Sequence, residues 1–250
     1  EGYEVSNIDF KPSTIEKVKN LIKCHNSLSL IREKFDGYLS RKQGEPELLS
    51  KRDLAFEQFM NQNINLTKQY SKADTLTDLS GKYDAYICGS DQIWSPMLLN
   101  PVYYFNFLSE NERRYAYACS FGVSEIPTKK KEIIQNYLEK FSEISVRENT
   151  GAKIVNALIG KNVPINVDPT LLLEPEKWNE LVINPEINEK YVFAYFLSNK
   201  KSYEEIAKKV AQKYSCKLVL VPTQKEHYAF EGVVIQNAGP CEWLGLVKNS

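Results

Sequence analysis

Apolar and polar positions along this chain recur with two different periods, and the switches between them mark out the elements. Residues 1–10 alternate around Tyr3, Val5, Ile8 and Phe10, which predicts a strand ended by Lys11-Pro12. Ser13 and Glu16 have the spacing of a capping box. Ile15, Val18, Leu21 and Ile22, then Leu28, Ile31, Phe35 and Leu39, follow at helical spacing and predict a helix or broken helix over 14–41. Leu54, Phe56, Phe59 and Met60 predict a second helix beyond the loop Gln43-Gly44-Glu45-Pro46, and residues 64–82 read as polar and loop-rich. A short buried strand is expected over 84–88, a loop dense in aromatics over 100–107, and a second strand from Arg114. Ile133, Ile134, Tyr137, Leu138 and Phe141 form one stripe of a helix over 128–141. A strand over 143–146 leads into a helix over 148–158, with Gly160 suited to its C-terminal cap. A short strand is expected over 162–167, then a short helix opened by Glu174-Pro175-Glu176 and carrying Trp178 and Leu181.

The composition shifts at 183–190, which reads as a linker. Beyond it come a strand over 191–197, a helix over 202–213 and a strand over 216–221, one βαβ unit whose two strands should be parallel. A further strand over 233–235 and a final helix from Gly239-Pro240 follow. This alternation predicts an α/β fold with mainly parallel sheets. The break suggests two Rossmann-like lobes facing a cleft, residues 1–184 and the start of a second lobe in 185–250.

Composition narrows the function classes. Lys+Arg and Asp+Glu both number 32, so the 250-residue chain lacks the basic excess of a nucleic-acid binder. The five Cys are scattered, form no CxxC pair and suggest no disulfide framework, which makes a reducing, cytoplasmic compartment the default. Cys88, Cys119 and Cys216 lie in or beside strands, where a free thiol acts as a small hydrophobe. No apolar run approaches 18 residues, so no spanning helix is expected. No signal peptide is recognisable, and the sequence starts at Glu1 rather than Met. There is no Gly-x-Gly-x-x-Gly or Walker motif, and His25 has no second His nearby with which to hold a metal. No cofactor or metal site is expected.

Candidate chemistry gathers at the turn after the 84–88 strand. Gly89 breaks that strand, and Ser90, Asp91 and Gln92 then offer a hydroxyl, a carboxylate and an amide before Ile93-Trp94. Ligands of open α/β sheets sit at the carboxyl ends of the strands. A second strand ends in Ala118-Cys119-Ser120-Phe121-Gly122. A third, Ile144-Ser145-Val146, hands over to a helix at Arg147-Glu148, and Val167-Asp168-Pro169-Thr170 follows. Arg147 is placed so that its fork of donors and a helix N-terminus could meet one anion; the competing reading is a salt bridge to Glu148 or Glu143. Ser120 and Gly122 could add a hydroxyl and backbone N–H groups, or could be small residues in a tight turn. Asp168 reads as a structural turn residue, and Arg113-Arg114 as solvated strand-edge charges.

These four pieces, in this order and spacing, resemble the polysaccharide pyruvyl transferase family, most firmly over residues 83–182. Ser95 stands where Asn is usual after the Trp, and Cys119 where Ala is usual. The resemblance implies a fold similar to GT-B glycosyltransferases. It also implies transfer of the enolpyruvyl group of phosphoenolpyruvate onto two hydroxyls of a sugar, free or lipid-linked, in making a bacterial cell-surface glycan at the inner face of the membrane. Arg147 matches the family's donor-binding arginine; Asp91 and Gln92 would serve the acceptor, Ser120 and Gly122 the donor, and Ser90 is a further substrate-binding candidate. The catalytic histidine implied by the family lies beyond Ser250, and His227, in a polar loop, does not match it. The sequence therefore reads as a fragment trimmed at both ends and inactive by itself. Two other readings remain open: a nucleotide-sugar glycosyltransferase, and a non-catalytic glycan-binding module suggested by the aromatic loop.

Overall fold

The computed structural model describes residues 2–13, 16, 47–197, 201–223, 227, 230, 234–235 and 237–250. Apart from Glu16, the helix expected over 14–41 lies outside the described residues, as does His25. By contacts the chain divides into two compact units, residues 1–40 with 66–173, and residues 41–65 with 174–250. Every strand pair among the described residues is parallel. The expected mixed α/β class is therefore observed. None of the described helices is long and apolar enough to cross a membrane.

The first unit is built on a sheet of β1 (Tyr86–Cys88), β2 (Arg114–Cys119) and β3 (Glu143–Val146), in the order β1-β2-β3. Its α-helices with described bounds are α2 (Thr128–Leu138) and α3 (Asn149–Ile159); Gly160, at φ +69°, caps α3 in the left-handed conformation, as its position suggested. The core packs against the sheet, and Ile144, Ser145 and Val146 of β3 are all buried. Trp94 stacks on Tyr104 at 5.4 Å and 8°, with Phe121 and Phe141 around it, and Ile134 and Leu138 of α2 close the same cluster. The aromatic loop thus supplies core: Tyr104 and Phe105 are buried, which weakens the case for it as a glycan platform.

Five local expectations need correction. Among the described residues 2–10 there are only isolated bridges, Asn7 with Leu66 and Phe10 with Tyr70, and Tyr3 and Val5 are exposed; two bridges cannot extend a ladder. The 84–88 strand is not buried throughout: period-two alternation turns Ile87 to the open face, and Ala85 is exposed. The stretch 64–82 contains a 3₁₀ helix, Ala73–Leu79, that buries Leu76 and Leu79. The 162–167 strand reduces to one bridge between Ile165 and Val146. Arg114 is not a solvated charge. It is buried, and its guanidinium donates to the carbonyl oxygens of Leu108 at 2.9 Å, Ser109 at 2.8 Å and Lys140 at 3.4 Å. These acceptors lie at turns next to the amino ends of the strands, where carbonyls have no ladder partner.

The second unit holds β4 (Tyr191–Ala194), β5 (Lys217–Leu220) and β6 (Val234–Ile235), also parallel and in chain order. Its helices are α1 (Glu47–Asn63), α4 (Pro175–Glu180), α5 (Lys201–Lys213) and α6 (Pro240–Lys248). The predicted βαβ unit is present, with Ala207 and Ala211 of α5 against Leu218 and Leu220. The helix expected from Leu54, Phe56, Phe59 and Met60 is α1, on which Leu54 and Phe56 are exposed. Gly245 of α6 lies so close to Ile183 that a Cβ would stand 1.8 Å from its carbonyl oxygen. His227 is fully buried, with Phe196 and Phe230 beside its ring, and its Nδ1 accepts from the Thr223 N–H at 3.2 Å, while residues 224–226 of its loop lie outside the described residues.

Candidate functional site

Three loops and one helix start meet at the carboxyl ends of β1, β2 and β3. The loop after β1 begins at Gly89, whose φ of +136° suits glycine, and where a Cβ would stand 1.8 Å from the Tyr117 carbonyl oxygen. The close approach locks this loop onto β2. The Ser120 N–H donates to the Asp91 carbonyl oxygen at 2.9 Å, and the Trp94 N–H to the Ser120 carbonyl oxygen at 3.2 Å. Trp94 anchors the loop in the core, so Ser90, Asp91 and Gln92 stand on a fixed turn.

β2 itself is irregular near its end. Its register against β3 shifts between Ala116 and Cys119, and Ala118 has φ +49°. Ser145 of β3 satisfies the backbone there: its hydroxyl accepts from the Ala118 N–H at 2.9 Å and donates to the Ala116 carbonyl oxygen at 3.2 Å. Such bulges re-aim the strand end. The Arg147 N–H then donates to the Cys119 carbonyl oxygen at 3.2 Å, which ties the helix start to β2. Beneath this level, Cys88 and Cys119 lie with Sγ atoms 3.8 Å apart, and burial pushes the Cys88 thiol well up. They are the small hydrophobes the sequence suggested.

On this frame Arg147 faces three carboxylates. Its Nη1 donates to Asp168 Oδ2 at 3.0 Å; Nη2 lies 3.5 Å from Asp91 Oδ1, and Nε 3.9 Å from Glu148 Oε2. Asp168 caps the turn Pro169–Leu171, and its Oδ1 accepts from the Thr170 N–H at 3.1 Å and the Thr170 hydroxyl at 2.8 Å. The Ser90 hydroxyl lies 2.9 Å from Asp168 Oδ2 and 2.8 Å from the Ala118 carbonyl oxygen, so two acceptors share its one proton. The bonds from Thr170, then those from Ser90 and Arg147, hold the Asp168 carboxyl down at about 2, against the partial burial that pushes the other way. The Ser120 hydroxyl donates to Glu148 Oε1 at 3.0 Å and accepts from the Gly122 N–H at 3.1 Å. Gly122, at φ +63°, lies under Gln92: a Cβ there would come within 2.6 Å of its side chain.

The six residues singled out from the sequence, Ser90, Asp91, Gln92, Ser120, Gly122 and Arg147, therefore come together at one end of one sheet. Asp168 and Glu148 join them. The turn signature at Asp168-Pro169 is real, since Oδ1 caps that turn, yet Oδ2 faces Ser90 and Arg147. The one signal in the sequence was its place after a short strand that follows Arg147 by a helix. Glu148 was visible only as a possible partner of its neighbour. Among the described residues no group of three His, Cys, Asp or Glu is arranged to hold a metal ion.

The fold is a parallel α/β one with polar side chains gathered beyond the carboxyl ends of its strands, the place where open α/β sheets hold their ligands. Comparison with protein families then matches residues 1–250 to polysaccharide pyruvyl transferase, and the chain belongs to that family. Comparison with curated proteins gives no match, and comparison with solved structures gives none. Membership covers the whole chain and assigns it to pyruvyl transfer, with a sugar or polysaccharide as acceptor.

Proposed function

We propose that the full-length protein transfers the enolpyruvyl carbons of phosphoenolpyruvate to two hydroxyls of one sugar, forming a cyclic pyruvate ketal. Two C–O bonds form at the central carbon, the bond to phosphate breaks, and the methylene becomes a methyl by gaining a proton. Of the two hydroxyl protons, one balances that gain and the other leaves with phosphate. The observation that carries this reading is family membership over residues 1–250.

The residue roles follow from charge and geometry. Arg147 is the one guanidinium in the cluster, and a planar fork of donors suits the donor's carboxylate or phosphate. Asp91, 85% exposed and 3.5 Å from Nη2, is the partner a donor would displace. Carboxylates only accept hydrogen bonds, so Asp91 and Glu148 suit the hydroxyls of a sugar, with Gln92 adding an amide beside them. Ser120 and Gly122 form the wall of the donor side. The acid that protonates the methylene carbon is assigned to a residue outside the described cluster. Cytoplasmic action on a lipid-linked acceptor at the inner membrane face fits a chain whose Cys88 and Cys119 are buried as free thiols.

The test is phosphate release by the full-length protein from phosphoenolpyruvate across a panel of free and lipid-linked glycans. Acceptor-dependent release is expected. Acceptor-dependent release of the nucleotide from nucleotide sugars, with no turnover of phosphoenolpyruvate, would move the assignment to glycosyl transfer, and glycan binding without turnover of either donor would leave a binding module.

A further inference from the structure

The partners of Arg147 are unequal. Asp168 Oδ2 is at hydrogen-bond distance from Nη1, 3.0 Å, whereas Asp91 and Glu148 stand at 3.5 Å and 3.9 Å from Nη2 and Nε. Nε and Nη2 are the two donors on the side edge of a guanidinium, the edge that grips a two-oxygen anion in parallel. That edge meets only the two longer contacts, and the exposed Asp91 is held weakly there. Asp168, by contrast, is clamped independently of Arg147. Thr170 holds its other oxygen twice, the Leu171 N–H donates to its carbonyl oxygen at 2.9 Å, and the ring of Pro169 fixes the next φ.

We propose that Asp168 is a positioning residue: it holds Arg147 by Nη1 and so turns the Nε–Nη2 edge toward the donor's carboxylate or phosphate. Through Ser90 the same oxygen ties the loop after β1 to this arrangement, and Asp168 itself touches no substrate. The inference rests on the pyruvyl-transfer reading. It goes beyond the turn cap, which uses only the other carboxylate oxygen.

The experiment compares the full-length protein with its Asp168→Asn and Thr170→Val variants, measuring KM for phosphoenolpyruvate, KM for the acceptor, kcat and thermal midpoint. Asn keeps the acceptor at Oδ1 but sets a donor against Nη1. The expected result is a donor KM raised about tenfold or more in Asp168→Asn, with acceptor KM nearly unchanged and the midpoint lowered by no more than about 2–4 °C. Thr170→Val, which keeps the backbone N–H and removes only the hydroxyl, should raise donor KM by about two- to threefold. A role confined to the turn would instead lower the midpoint and the active fraction and leave donor KM where it was, and that result overturns the proposal. Absence of phosphoenolpyruvate turnover in the unsubstituted protein would overturn the pyruvyl-transfer reading beneath it, and is read separately from the variants.

Discussion

The two ends of the β1-β2-β3 sheet each carry an arginine, and they are different objects. At the amino end, Arg114 is buried and donates to three backbone carbonyls of turns, while Glu112 nearby accepts from Ser80, Ser109 and the Gly81 N–H. At the carboxyl end, Arg147 is partly exposed and faces side-chain carboxylates from three segments of chain. Carbonyl partners inside a core fix a shape, because no competing ligand reaches them. Carboxylate partners at a solvent-facing edge can be exchanged for another anion. What separates the structural arginine from the one open to another anion here is who its partners are and whether water reaches them.

The contrast can be broken by exchanging stability and activity readouts. Arg147→Ala should lower kcat/KM for phosphoenolpyruvate at least a hundredfold, about 2.7 kcal/mol of binding in the transition state, with the thermal midpoint nearly unchanged. Arg147→Lys should recover little, since a point charge lacks the planar fork. Donor kinetics that survive Arg147→Ala would remove it from the site. Arg114→Met should do the reverse: roughly 3 kcal/mol lost in denaturant unfolding, because buried carbonyls lose their donors, with kcat/KM per folded molecule within about twofold.

Acid sharpens the same contrast. The Asp168 carboxyl, held at about 2 against an ordinary 3.8, has its folded-state value depressed. Its contribution is therefore full above about pH 4 and is lost as pH falls from 4 toward 2. Solvent reaches part of this carboxylate, so the contribution is about 1 kcal/mol after screening. The difference in unfolding free energy between the native chain and Asp168→Asn should shrink across that window; a constant gap would mean Asp168 is not held by these bonds. The smallest effect belongs to Asp91→Asn. An exposed pair at 3.5 Å contributes less than about 0.5 kcal/mol, so its midpoint should not move, while donor KM should hold steady or fall as the guanidinium edge is freed.

Element types were legible wherever one period ran long enough. The strand at 143–146, the helix that Gly160 ends and the parallel pair β4 and β5 all lie where the apolar pattern put them. Periodicity failed where burial depends on a distant segment. Residues 1–10 alternate like a strand yet find only two bridges, and Leu76 and Leu79 are buried from a stretch too polar to suggest it. The same limit applies to the charges. Arg113-Arg114 reads as one polar pair, but alternation across β2 turns Arg114 inward and leaves Arg113 outside.

By itself the sequence determined the class, a parallel α/β protein, and the six side chains at the strand ends, because turn residues and local periodicity depend on near neighbours. It also carried the ordered motifs on which the family assignment rests. Only the tertiary structure decided which of two adjacent-looking arginines is core. Only the tertiary structure brought Asp168 across 21 residues to Arg147 and 78 residues to Ser90, and made one carboxylate both a turn cap and a partner of the cluster. Those contacts are set by how parallel strands stack, and parallel neighbours are joined through long crossovers, so their pairings leave no mark in the local pattern.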